Sequence, residues 1–351
     1  MFKRVEIGSD FHWNYNNWKG RNRVKFPSNS IFFNSGRAAL ISLINWLQKE
    51  KGVTRIFIPS YYCKDVVIAL ENLDINIEYY FDNPLSDFNY INLSVKLKKS
   101  DLIILVNYFN SRNYTFSKNP FKPAILIGDI SHSIDLFDPN LSKFDWCFSS
   151  LRKIYPIPDG GVIWCENGKD VSFLTPKWDE EFEKSASLRF SAMVLKALYL
   201  ENHDIKKEDF RKIFIDTEKT FSSFNSSISN IAKNLLRILS SRGTEETRQI
   251  NYKAFSDNFR QSKEACLFKR NVFLRDRCPF CILILFSDSL MRDKVKRLLI
   301  KDNIYPSILW PDCTIFDEDK NFSNHILCLP CDQRYDIKDM KWIANKINSY
   351  L

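Results

Sequence analysis

Phe148-Ser149-Ser150-Leu151-Arg152-Lys153-Ile154-Tyr155-Pro156-Ile157-Pro158-Asp159-Gly160-Gly161 reads as an apolar strand, a short turn carrying one lysine, and a glycine pair behind it. Upstream, Ile125-Leu126-Ile127-Gly128-Asp129-Ile130-Ser131-His132-Ser133 reads as another buried strand, ending on an acid and an imidazole. Similar runs lie at 55–58, 75–81, 102–108, 124–130, 146–148 and 161–165, several of them apolar on successive residues, as strands covered on both faces should be. Between them, 38–49 and 64–73 carry the spacing of amphipathic helices. This βα alternation predicts an α/β fold with a doubly wound, mostly parallel sheet, whose ligands gather at the carboxyl ends of the strands.

From about 178 to 265 the chain turns charged, serine-rich and helical, with no strand pattern. Strand signals return at 278–287, 304–306 and 326–329, with helices at 289–301 and 337–350, which predicts a small C-terminal α/β domain. The expected division is a large domain over 1–250, including the start of the helical segment 178–265, and a small one over 251–351. The asparagine-rich piece 14–22 reads as a solvated arm.

At 351 residues with 44% hydrophobic content, the chain can fill both cores. Its net charge of +9 is scattered among acids with no basic stripe, which argues against nucleic acid and for attraction of anionic metabolites. The apolar runs at 102–109 and 280–286 are too short to span a bilayer, and Met1-Phe2-Lys3-Arg4-Val5-Glu6 lacks the apolar core of a secretion signal. A cytoplasmic protein with no membrane partner is expected. Nine cysteines, an odd number, read as reduced thiols. The pairs Cys278-Pro279-Phe280-Cys281 and Cys328-Leu329-Pro330-Cys331 have metal-like spacing, but they lie farther apart than in zinc ribbons and beside apolar runs. They read as small buried residues, and no metal is expected.

A lysine on such a turn can form an imine with a carbonyl cofactor, and an acid at a strand end can keep a pyridine nitrogen protonated. Lys153 and Asp129 together point to pyridoxal phosphate. A phosphate cradle is available at Asn34-Ser35-Gly36-Arg37-Ala38-Ala39-Leu40, where a helix start leaves backbone amides unpaired beside the Ser35 hydroxyl. Of only nine glycines, Gly36, Gly128, Gly160 and Gly161 all fall in these three segments, which favours close backbone approach to a ligand.

Ser35-Gly36-Arg37-Ala38-Ala39-Leu40, Ile58-Pro59-Ser60-Tyr61-Tyr62-Cys63, Gly128 to Ser133, Ser150 to Lys153 with Pro158 to Gly161, and Leu329-Pro330-Cys331-Asp332-Gln333-Arg334-Tyr335 together resemble the DegT/DnrJ/StrS aminotransferases, in order and over nearly the whole chain. The resemblance implies a pyridoxal-phosphate-dependent fold type I enzyme, a homodimer, that moves an amino group from an amino acid, by family habit glutamate, to a keto sugar, commonly nucleotide-linked, in polysaccharide or glycan biosynthesis. It makes Lys153 the lysine that holds the cofactor and shuttles the proton, and Asp129 the partner of the pyridine nitrogen. It places His132 near the phenolic oxygen, the Gly36 and Arg37 amides at the phosphate, and there too the hydroxyl of either Ser149 or Ser150. Cys63 stands where many relatives carry a stacking aromatic ring; Tyr62 could substitute, or His132 could cover the ring alone. The loop by which many relatives reach the partner subunit has no clear copy, with Arg242-Gly243, or Arg248 with Asn251, as candidates. Relatives that dehydrate sugars carry histidine in place of the lysine, so Lys153 favours transamination. A regulatory or scaffold protein on the same fold is the non-enzymatic alternative. Trp310 and Tyr335 could stack on a base or sugar, or pack the small domain.

Overall fold

The computed structural model describes residues 4–13, 23–86, 93, 95–114, 116, 119–166, 168, 171–221, 225–239, 242–269, 273, 277–311, 313 and 315–351. The proposed arm at 14–22 lies outside them. Chain order begins β1 (Ile7–Gly8), β2 (Ile31–Phe33), α1 (Gly36–Lys51), β3 (Arg55–Pro59), α2 (Lys64–Glu71), β4 (Asn76–Tyr80), β5 (Asp101–Val106), β6 (Ile125–Asp129), β7 (Trp146–Ser150) and β8 (Gly161–Cys165). Four helices follow: α3 (Glu180–Leu200), α4 (Lys207–Phe221), α5 (Asn230–Ile238) and α6 (Arg242–Asn258).

Strands β2 to β8 form one sheet in the order β2-β8-β7-β6-β5-β3-β4, parallel from β4 through β7, with β8 antiparallel to β7 and β2 antiparallel to β8. Every residue of β5 and β8 is buried, as the apolar runs 102–106 and 161–165 demand, and Asp101 at the start of β5 is paired with Arg55 at 2.8 Å. The strand order reverses between β3 and β5, and such a switch point opens a crevice at the carboxyl ends. The loops leaving β3, β5, β6 and β7, which are neighbours in the sheet, therefore share one edge. The sequence reading missed β2, a three-residue, half-buried edge strand too short to show a period.

Helix α1 starts at Ser35, whose hydroxyl accepts the Ala38 amide at 3.1 Å, and stops at Gly52, in the left-handed region at φ +63. Gly161 brings the start of α1 down onto the sheet. A Cβ at 161 would lie 2.1 Å from the Ser35 carbonyl carbon, so only glycine permits the contact.

A second sheet, antiparallel, joins Ala265–Leu267, Ile282–Phe286 and Ile326–Leu329, with Ile282–Phe286 central. Helices Ser289–Lys301, Asp317–His325 and Ile337–Tyr350 accompany it, and β1 pairs in parallel with Ile304–Tyr305, so the start of the chain joins this C-terminal layer. Residue 250 lies inside α6, which packs along Ile337–Tyr350. Among the described residues, no helix is long and apolar enough to cross a membrane.

Candidate active site

Asp129 ends β6 and Lys153 lies in the turn Leu151–Lys153 directly after β7, so adjacent parallel strands deliver both to the switch-point edge. Side chains alternate across a sheet, and Asp129 pairs in register with Phe148, which places Ser150 on the same face and Ser149 on the other. Ser150 lies against the start of α1, where a Cβ on Gly36 would stand 3.2 Å from the Ser150 side chain. The Ser149 hydroxyl is fully buried without a hydrogen-bond partner. Ser35 caps α1 with its hydroxyl, leaving the amides of Gly36 and Arg37 at the helix start, while the Arg37 guanidinium points to the Phe221 carbonyl.

The Asp129 carboxyl is held from two sides. Oδ2 accepts the Tyr62 hydroxyl at 2.8 Å, and Oδ1 accepts the Ser131 amide at 2.9 Å. Burial first, then the Asp129 charge, pushes the Tyr62 phenol well above its usual range, so it stays a donor. In this arrangement Tyr62 is a hydrogen-bond partner of the acid rather than a platform for a ring. Cys63 precedes α2 without a side-chain cap and packs half-buried on the core.

His132 is 3% exposed, and its Nε2 lies 3.5 Å from Lys153 Nζ. Its ring stacks with Phe280 at 4.3 Å, Phe109 at 5.4 Å and Trp310 at 5.7 Å between centroids. Trp310 also carries Lys153 Nζ over its face at 5.9 Å and donates its amide to Tyr61 at 2.8 Å. The sequence reading named Trp310 only as a possible stacking or packing residue and gave Phe280 no role; the ring pattern that joins them to His132 spans distant segments. Tyr335 is buried, accepting the Gly8 amide at 2.8 Å.

Phe109 and Asn110 follow β5 with φ of +53 and +59. Such angles cost about 1–3 kcal/mol each for residues other than glycine. Side-chain bonds hold the turn: Asn107 donates to Asn110 at 3.0 Å, Asn110 to the Cys278 carbonyl at 2.8 Å, and Asn107 accepts the Arg112 amide at 3.0 Å. The result aims the Phe109 amide at His132 Nδ1, 3.2 Å away.

Lys153 also lines a cavity of about 780 Å³ between α3, α4 and the C-terminal layer. On α3, Phe182, Ala186, Arg189, Met193, Lys196 and Leu200 form a buried stripe with alternating steps of four and three, so two cations occupy places where apolar residues are usual. Arg189 bonds Asp10 at 2.7 Å and Glu218 at 2.9 Å; Lys196 bonds Glu6 at 2.9 Å. Each of two carboxylates is straddled by two cations: Glu218 by Arg152 and Arg189, Glu6 by Lys196 and Lys207. Burial works against both carboxylates, but their cationic partners outweigh it and hold each at about 2. Arg211 and Arg248 add positive charge to the lining.

Arg248 is 2% exposed and donates to the Phe280 carbonyl at 2.5 Å, and Asn251 donates to the carbonyls of Cys331, Asp332 and Tyr335. Both are thus bound within their own chain. The side chain of Arg242 lies outside the described residues. Antiparallel pairing of Ile282–Phe286 with Ile326–Leu329 brings the two cysteine pairs together, and among the described residues no group of three or more His, Cys, Asp or Glu could hold a metal ion.

No family model matches the sequence, and no curated protein matches it. Solved structures do match. Spr1654 of Streptococcus pneumoniae, assigned as a sugar aminotransferase and solved in its PLP form, superimposes with a TM-score of 0.61 at 9% identity, covering 99% of this chain and 100% of that one. The chain has the fold of the sugar aminotransferases. PseC of Helicobacter pylori, an aminotransferase of pseudoaminic acid biosynthesis, gives 0.59 at 11% identity over 99% of both chains. DesI, solved in the presence of its TDP-sugar product, gives 0.56 at 11% identity over 91% of this chain and 80% of that one. This likeness bears out the expected fold class, an α/β large domain of pyridoxal-phosphate fold type I with a smaller C-terminal part.

Proposed function

We propose that this chain is a pyridoxal-phosphate-dependent aminotransferase that passes an amino group from an amino acid, glutamate being the expected donor, to a keto sugar. The observation that carries the reading is the placement of Lys153 and Asp129 at the ends of adjacent strands, on the edge where the start of α1 meets Ser150. The residues fit the cofactor at three points. Asp129, fixed by Tyr62 and Ser131, would hold the ring nitrogen, and Lys153 the aldehyde carbon. The Gly36 and Arg37 amides with the Ser150 hydroxyl would hold the phosphate, in a cradle that a side chain at 161 would close. Bound there, the cofactor supplies an aldehyde that captures amines and a ring that accepts the electrons of a carbanion.

Lys153 then moves the proton at the substrate carbon. The cavity beside it has the size and positive excess suited to an anionic acceptor such as a nucleotide-linked sugar. The product named for DesI supports that substrate class. The proposal extends to a cytoplasmic homodimer without nucleic-acid or membrane partners, and light scattering of the purified protein checks the oligomer. The deciding experiment is spectroscopic. Pyridoxal phosphate should give the wild type a visible absorption band that bleaches with glutamate, and Lys153→Ala should show none. A folded wild type without the band, or a variant that keeps it, overturns the reading.

A further inference from the structure

We propose that His132 is a positioning residue for Lys153: the turn at Phe109 and Asn110 locks the imidazole as its Nε2–H tautomer, and that proton faces Nζ, favouring the lysine as a free amine. A neutral imidazole has one N–H and one acceptor nitrogen. Nδ1 accepts the Phe109 amide at 3.2 Å, so the ring proton resides on Nε2, the atom 3.5 Å from Nζ. An ammonium at Nζ would set N–H against N–H across that gap, whereas an amine offers its lone pair. At 3.5 Å the contact is weak enough to be released when the amine reacts.

Two features keep the ring where this requires it. Phe280, Phe109 and Trp310 stack on it, which fixes its plane. The donor amide is held by a backbone conformation that non-glycine residues adopt only when their surroundings impose it, here at two consecutive buried positions. Burial pushes His132 well below the usual histidine range, which keeps the ring neutral. Asp129, with Tyr62 on its carboxyl, ends the strand that leads to His132, and among the described residues the cavity beside Lys153 is lined by Arg152, Arg189, Arg248 and Glu218 among other charged groups.

The inference takes Lys153 to be the reactive amine of the proposed function, but its test uses the protein without cofactor. Formaldehyde with cyanoborohydride is the probe, and mass spectrometry reads methylation at Lys153. His132→Phe, which removes the N–H opposed to an ammonium at Nζ, should slow the reaction at pH 7 about tenfold, the scale of one pKa unit, and His132→Gln, which can donate from the place of Nε2, should restore most of it. Nitrogen-15 spectra of the wild type should show a protonated Nε2 and a bare Nδ1. A protonated Nδ1 at pH 7, or a folded His132→Phe methylated at the wild-type rate, overturns the proposal. If that variant does not fold, the wild-type spectrum decides alone. Failure of the aminotransferase reading would instead appear as a missing absorption band with pyridoxal phosphate.

Discussion

The strand-end edge and the cation-lined cavity meet at Lys153 but are built by opposite means. At the edge, Tyr62, Phe109, Asp129, His132 and Lys153 leave neighbouring strands, so sheet register places them and their surroundings are apolar and aromatic. In the cavity, Glu6 meets Lys196, Asp10 meets Arg189, and Arg334 donates to the Ser9 carbonyl at 2.9 Å, contacts between segments far apart in the chain. The edge suits bond-making, because strand ends hold geometry tightly. The cavity suits recognition, since paired ions with an excess of positive charge attract an anion without collapsing on one another.

If that division holds, lesions at the edge should destroy chemistry, and lesions in the wall should cost binding or stability. The largest effect is expected for Lys153→Ala. Turnover with glutamate and a keto-sugar panel should fall at least about a thousandfold, the scale of a lost acid–base group, with the melting temperature little changed. Asp129→Asn should retain cofactor binding while kcat falls by about 10²–10³; a variant that lost cofactor binding instead would make Asp129 a scaffold of the edge.

In the wall, Glu6→Gln leaves Lys196 buried with one charge partner fewer, and denaturant titration at pH 7 should show a loss of roughly 3 kcal/mol. Glu6 is held at about 2 in the fold against an ordinary value of 4.5. Its stabilisation is therefore present above that ordinary value and lost as pH falls through about 2, and the variant should lose stability less steeply across that window. The smallest effect tests the seam between sheet and helix. Gly161→Ala should destabilise by about 1–3 kcal/mol through overpacking and weaken cofactor binding by moving Ser35 and Gly36, measured by thermal melts and cofactor titration.

Much of the edge was legible because its signals are local. Asp129 and Lys153 each close an apolar run, and the parallel pairing of such runs follows from the βα alternation. Which of Ser149 and Ser150 shares the Asp129 face needed register, which spacing alone did not supply. Tyr62 was visible as an aromatic residue, but whether it faces a ring or an acid depends on the loop after β3. The Phe109–Asn110 turn left no mark, since neither residue is the glycine that usually announces a positive φ. In the wall, Arg189 and Lys196 did break an otherwise apolar helical stripe, a signal that could have flagged them.

Amino-acid order by itself dictated most of the strands and helices, the α/β class and the lysine and acid at the strand ends, because hydrophobic period and glycine placement act over a few residues. Only the tertiary structure decided which side chains share the Asp129 face, which rings close on His132, and how α3 and α4 wall the cavity. Those outcomes depend on packing and ion pairing between segments that the chain order keeps apart, and no local pattern encodes a distance across that gap.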